Sequence, residues 1–222
     1  RQRQMCIRDR ATGFAYEVVV VMDQKDWKGP AGEAIKSELA SSVPGLPQAE
    51  PSLKITYVQP KDFTGLLRYV RNILVVTIDP TAYTKVSVGY ENNVWARGQV
   101  VVSLKAPNTE SIVEYSKTHE KALVNFFVKV EMNRAIEQLQ KEYSMVVMDN
   151  LKSDLNVMLN APANFTYYKD TTDFFWSSNN ANTGRMDLIV YTFPYTDPNT
   201  FTEEYLVAKR DSVSVSYTHL RA

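Results

Sequence analysis

Glu17–Asp23, EVVVVMD, is an unbroken β-branched apolar run closed by a carboxylate. A strand of that composition sends every side chain, on either face, into apolar surroundings, so it reads as a central strand covered on both sides. Asn72–Asp79, NILVVTID, repeats the pattern. The two are expected in one sheet, with Val19, Val21, Ile73, Val75 and Val101 sharing a core.

Working outward, Asp26–Pro30 supplies a turn with Pro30 near a helix start, and Trp27, Ala31, Ile35 and Leu39 mark one face of a helix to about Ser41. Pro44, Pro47 and Pro51 impose a loop. Leu53–Val58 alternates as a strand, Asp62–Tyr69 suits a short helix, and Lys85–Tyr90 with Gly98–Leu104 reads as a hairpin around Glu91–Arg97. A long helix follows Pro107-Asn108 and runs to Tyr143, with Ser111 and Glu114 at capping-box spacing, and a second helical stretch continues to Asp154. Leu155–Leu159, Phe165–Lys169, Phe174–Ser177 and Met186–Phe193 read as strands, the last two joined across SNNANTG, and Thr200–Val213 begins a helix. The fold class is α+β, with two sheet-bearing halves (β-α-β-β-β-β, then β-β-β-β-α) packed around a long central helix. The segments are 11–107, a helical 108–154, and a β-rich 155–213.

The 222 residues carry 25 Lys+Arg against 25 Asp+Glu and 44% apolar content, which excludes disordered, collagenous and coiled-coil chains. The longest apolar run, Val18–Met22, is far shorter than the ~20 residues of a membrane helix. Arg1–Arg10 and Ser214–Ala222 lack the period of their neighbours and resemble translated sequencing adapter that recurs at the ends of unrelated metagenomic gene predictions, so they are set apart from the fold. Residues 11–213 hold 20 basic and 24 acidic residues, a net charge of −4, with no cysteine and one imidazole, His119. Cysteine nucleophiles, disulfides and Cys/His zinc sites are thereby excluded, and a nucleic-acid partner is disfavoured. No cofactor and no metal site is expected.

Asp23 and Asp79 each close a buried strand, where a carboxylate could bind a cation or act as a base. The alternative, suggested by Asp79-Pro80 and favoured for both, is that each caps its following turn. His119 beside Glu120, with Glu114 and Glu131 on the same predicted helix, reads as a solvated helix surface rather than an acid/base centre. Tyr167-Tyr168, Phe174-Phe175-Trp176 and Tyr191-Phe193-Tyr195 alternate, so half should be core while the rest, Tyr168 and Trp176 among them, could stack on a ligand. Trp95, beside Arg97 at the hairpin end, is read as a plug between the two halves, or if exposed as a recognition residue. Gly29-Pro30-Ala31-Gly32 offers helix N–H groups, but Pro30 removes a donor and the lead-in turn is the better reading.

The strings ATGFAYEVVVVMD, SSVPGLPQAEP, RNILVV, NVWARGQVVVSLKAP and DFFW resemble a Bacteroidota family of uncharacterised lipoproteins, domain of unknown function 4837, over nearly all of residues 11–213. The resemblance implies a lipidated cysteine upstream of Ala11 and hence a cell-envelope location, with the membrane met only through that lipid. It assigns no activity and carries over no catalytic residue. The function expected is a non-enzymatic envelope lipoprotein domain that binds or scaffolds an envelope protein or glycan. The alternatives are a glycan- or peptide-binding module using Trp95, Arg97, Tyr168 and Trp176, or a hydrolase using Asp23 and Asp79.

Overall fold

A computed structural model describes residues 9–219. Most of Arg1–Arg10, Cys6 included, and the last three residues lie outside it. The chain divides into two compact units, Arg1–Met132 and Asn133–Ala222, each carrying its own sheet. The fold is α+β, as the sequence predicts.

In the first unit the strands are β1 (Glu17–Val21), β2 (Lys54–Val58), β3 (Asn72–Ile78), β4 (Ser87–Asn92) and β5 (Val100–Ala106). They form one sheet in the order β2-β1-β3-β5-β4, parallel except for the β4–β5 hairpin. β1 sits one strand from the edge and is covered on both faces. Val18, Val20 and Met22 pack under the helices with Ile35, Leu39, Leu74, Val102 and Phe127. Val19 and Val21 pack on the other side with Ile73 and Val101, and Val75 lies against them. Val19 pairs with Ile73 and Val21 with Val75, so the expected shared core and shared sheet are both present.

The helices of this unit are α1 (Gln24–Trp27), α2 (Pro30–Leu39), α3 (Thr109–Thr118) and α4 (Ala122–Lys141), which crosses into the second unit. Pro30 stands at the first turn of α2, and a Cβ on Gly32 would come 2.1 Å from the Trp27 carbonyl oxygen, so only glycine lets α1 and α2 meet. The single long helix expected from Asn108 is instead two, broken at His119–Lys121, where Lys121 takes φ 61°. Its cap is also one turn earlier than the Ser111/Glu114 spacing suggests. Asn108 Oδ1 accepts from the Ser111 amide at 2.9 Å and from its hydroxyl at 2.7 Å, making Ser111 a capped residue rather than the cap.

The second unit holds α5 (Met145–Leu155), the antiparallel sheet β6 (Tyr167–Thr171), β7 (Phe174–Ser178), β8 (Asp187–Tyr191), and α6 (Glu203–His219). It has three strands where the sequence suggests four. Leu155–Leu159 is not a strand: Leu155 closes α5, Asn156 adopts a left-handed conformation (φ 54°), and the Val157 amide returns to the Leu151 carbonyl. Its alternating leucines instead pack beside the core of Val147, Leu151, Ala161, Phe165 and Phe175.

At the ends, the Asp9 carbonyl accepts from Arg97 N and the Arg97 carbonyl from Ala11 N, both at 2.9 Å, so Asp9 and Arg10, set apart from the fold on sequence, pair with it through their backbone. The α6 backbone continues past Val213 to His219. Residues 214–219 contain neither Gly nor Pro, and nothing in their backbone chemistry stops a helix.

Candidate ligand-binding face

Adjacent parallel strands β1 and β3 bring Asp23 and Asp79 to the same end of the five-stranded sheet. Their roles differ. Asp79 Oδ1 accepts from Thr81 N (2.8 Å), Thr81 Oγ1 (2.6 Å) and Ala82 N (3.2 Å), and the Thr81 bonds hold its carboxyl below the usual range. It is a turn cap. Asp23 precedes α1 and its side chain makes no cap bond. Among the described residues no group of three or more His, Cys, Asp or Glu could hold a metal ion.

His119 lies at the C-terminal end of α3 rather than mid-helix; its ring stacks on Tyr115 at 4.4 Å and its Nδ1 meets Thr118 Oγ1 at 2.9 Å. Glu114 and Glu131 end up on different helices. Trp95 is the plug of the non-helical face: half-buried, edge-on to Phe63 at 5.6 Å, with Arg68 6.0 Å from its ring centre. Its amide donates to Gln99 Oε1 at 3.0 Å. Arg97 is exposed and meets the chain at Asp9 and Ala11 through its backbone.

Two buried carboxylates were not legible as sites. Glu131, 2% exposed, pairs with Arg71 at 2.8 Å and accepts from Asn72 Nδ2 at 2.7 Å, while the same Asn72 amide donates to the Glu17 carbonyl at 2.8 Å. The network ties α4 to the amino-terminal ends of β1 and β3. Its signal is present in the sequence, because Leu123, Phe127 and Glu131 follow an i, i+4, i+8 stripe whose last member is charged. Glu38 reaches from α2 to accept the Leu123 amide at 2.7 Å in the first turn of α4, and burial pushes its carboxyl up.

In the second unit, register sorts the aromatics. Tyr168 pairs with Ser177 and Lys169 with Trp176, so Tyr168 and Trp176 fall on opposite faces. Tyr168 shares the core face with Phe175, whose ring it approaches at 6.3 Å. Trp176 belongs to the outer face, where a cross-strand row runs Lys169–Trp176–Ile189 between the Tyr167–Ser178–Asp187 and Thr171–Phe174–Tyr191 rows. Tyr167, Lys169 and Asp187 are exposed there, while Trp176, Ile189 and Tyr191 are half-buried. The indole is held in place: Nε1 donates to Asp187 Oδ1 at 2.9 Å, Arg185 bridges the same oxygen at 3.0 Å, and its guanidinium stands 5.8 Å from the ring centre. Burial pushes the Asp187 carboxyl up, but bonds from Arg185, Trp176 and Ser178 outweigh that and hold it below the usual range. The result is an apolar platform with a fixed carboxylate, a guanidinium and an ammonium around it. Sequence alternation gave the split of faces, but the Asp187–Arg185 partners depend on hairpin register. A separate recess of about 440 Å³ lies between Pro162–Asn164 and the end of α4 (Leu139) with the following Glu142.

Two family models match. One, described as domain of unknown function DUF8532, covers residues 11–140, and the other, domain of unknown function DUF4837, covers residues 144–219. The DUF4837 resemblance therefore belongs to the second unit rather than to nearly the whole chain. No curated protein and no solved structure matches.

Proposed function

The chain belongs to the DUF8532 family, and from that premise we propose a non-enzymatic binding domain of the cell envelope that holds a glycan on the outer face of β6-β7-β8. One observation carries the reading: Trp176 is fixed by Asp187 and Arg185 beside exposed Lys169 and Tyr167. Sugar rings present apolar C–H faces edged by hydroxyls, and this strip offers a ring to stack on with charged donors and acceptors beside it. The turn-capping role of Asp79 weighs against a two-carboxylate hydrolase at the other sheet.

The envelope location is part of this proposal and rests on the resemblance of strings such as ATGFAYEVVVVMD to a lipoprotein family, which implies tethering by lipid. None of the described helices is long and apolar enough to cross a membrane. A lipid-tethered product should fractionate with membranes and be released when the upstream cysteine becomes serine. The binding claim is tested by calorimetric titration with cello-, chito- and manno-oligosaccharides. At least one class should bind, and Trp176→Ala should weaken it roughly thirtyfold, the ~2 kcal/mol of a buried aromatic anchor. Absence of binding across the panel, or equal binding by Trp176→Ala, rejects the reading.

A further inference from the structure

We propose that two copies of this chain pair along β4 to make one continuous sheet through an antiparallel two-fold centred on Gly89. The starting point is an edge without the usual protection. All six residues of β4 are exposed, and they pair with β5 in unbroken register with no bulge, no proline and one charge, Glu91. The opposite edge strand, β2, carries Lys54 bonded to Glu17. Edges as open as β4 are templates for another strand.

Hydrogen-bond phase decides which residues such a strand would meet. Asn93 N–H donates to the Gln99 carbonyl at 2.9 Å, and the register runs inward from Asn92–Val100. Bonded pairs therefore fall at Glu91, Gly89 and Ser87, whose backbone groups aim at β5, while Val88, Tyr90 and Asn92 aim theirs outward. Side-chain parity supplies the second condition. Val88 and Tyr90 pair with Leu104 and Val102, so they lie on the helix-covered face, and a pairing that keeps this face common to both copies must match even residues with even.

A two-fold at Gly89 satisfies both conditions. Val88 of one copy opposes Tyr90 of the other in a bonded pair, each exchanging the N–H and C=O groups that now face water. The β-branched and aromatic side chains meet cross-strand, extending the shelf that Tyr90 forms with Phe126 at 5.1 Å. On the other face Glu91 opposes Ser87, so like charges do not meet across the axis. At the axis, where the backbones come closest, each copy supplies Gly89, with nothing within 4 Å of a Cβ placed there. This self-complementarity is what singles out a second copy rather than an unrelated peptide.

Sedimentation of the full chain in a Cys6→Ser background, which removes its single cysteine, should show a concentration-dependent monomer–dimer equilibrium. Tyr90→Lys, which brings a charge onto the apolar row of the exposed edge, should shift it to monomer without changing the circular dichroism. Gly89→Cys in the same background should form a covalent dimer on mild oxidation much faster than Glu50→Cys, since non-bonded antiparallel partners lie about 4.5 Å apart, within disulfide range. A chain that stays monomeric at every concentration overturns the proposal. So does a dimer that survives Tyr90→Lys, or Gly89→Cys cross-linking no faster than the control. Capture of a foreign peptide strand by a monomeric chain overturns it equally.

Discussion

Glu131→Ala is the most demanding test of the first unit. The carboxylate is 2% exposed, its Oε2 lies 2.8 Å from Arg71 Nη2, and its Oε1 lies 2.7 Å from Asn72 Nδ2. Removing one partner of a buried ion pair costs about 3–5 kcal/mol, chiefly because the other charge is left uncompensated. Arg71 keeps 25% side-chain exposure and can regain water, which places this site at the lower end, about 3 kcal/mol. For a unit of this size that is a fall of about 10 °C in Tm. Urea unfolding followed by circular dichroism measures it, and a double-mutant cycle with Arg71→Ala should return a coupling of about 1–3 kcal/mol. A loss under about 1 kcal/mol, the range of a solvated surface pair, would refute the claim that this network anchors α4.

Further outcomes follow from the same geometry. Ile73→Val should destabilise by about 1 kcal/mol in urea unfolding, because a fully buried methyl is lost between β1 and β5. Trp95→Ala, at a half-buried plug, should cost about 2 kcal/mol by the same measurement, less than a fully buried tryptophan. The hydrogen bond that the protonated Asp170 carboxyl donates to Asp154, with burial and like-charge repulsion, raises the Asp170 carboxyl. A carboxyl raised in the folded state contributes stability below its unfolded pKa and loses it as pH rises through the folded value. Asp170→Asn should therefore raise Tm by a degree or two near neutral pH, with the gain vanishing below about pH 4. Glu38 is raised by burial in the same direction, so Glu38→Gln should flatten the stability–pH profile across the acidic range seen by thermal melts.

The first unit was legible because two of its inner strands are apolar on both faces: EVVVVMD and NILVVTID pair side by side in a covered sheet. The second was less so. Leu155–Leu159 alternates like a strand, yet Asn156 turns the chain left-handed, and Leu155 packs from the end of α5 and Leu159 from the loop beyond it, a choice made by tertiary packing. The helix break at Lys121 was hidden because the apolar stripe resumes at Leu123 without Pro or Gly to mark it. Among the candidate residues, the spacing of Asp79 and Pro80 pointed to a turn cap, and the structure has one. Alternation could tell that only some of the candidate aromatics share a face, but not that Tyr168, opposite Ser177, and Trp176, opposite Lys169, face apart, which takes the β6–β7 register. Asp187 and Arg185 escaped notice because only the β7–β8 register carries them to Trp176.

The central claim is that ligand meets the outer face of β6-β7-β8, and amide and indole chemical-shift mapping of the full chain, titrated with the oligosaccharide that binds most tightly, tests it directly. The perturbed resonances should gather at Tyr167, Lys169, Arg185, Asp187 and the Trp176 indole N–H. Perturbations centred instead on Leu139, Glu142 and Asn164 in the recess, or on Asp23 and Asp79, would contradict it.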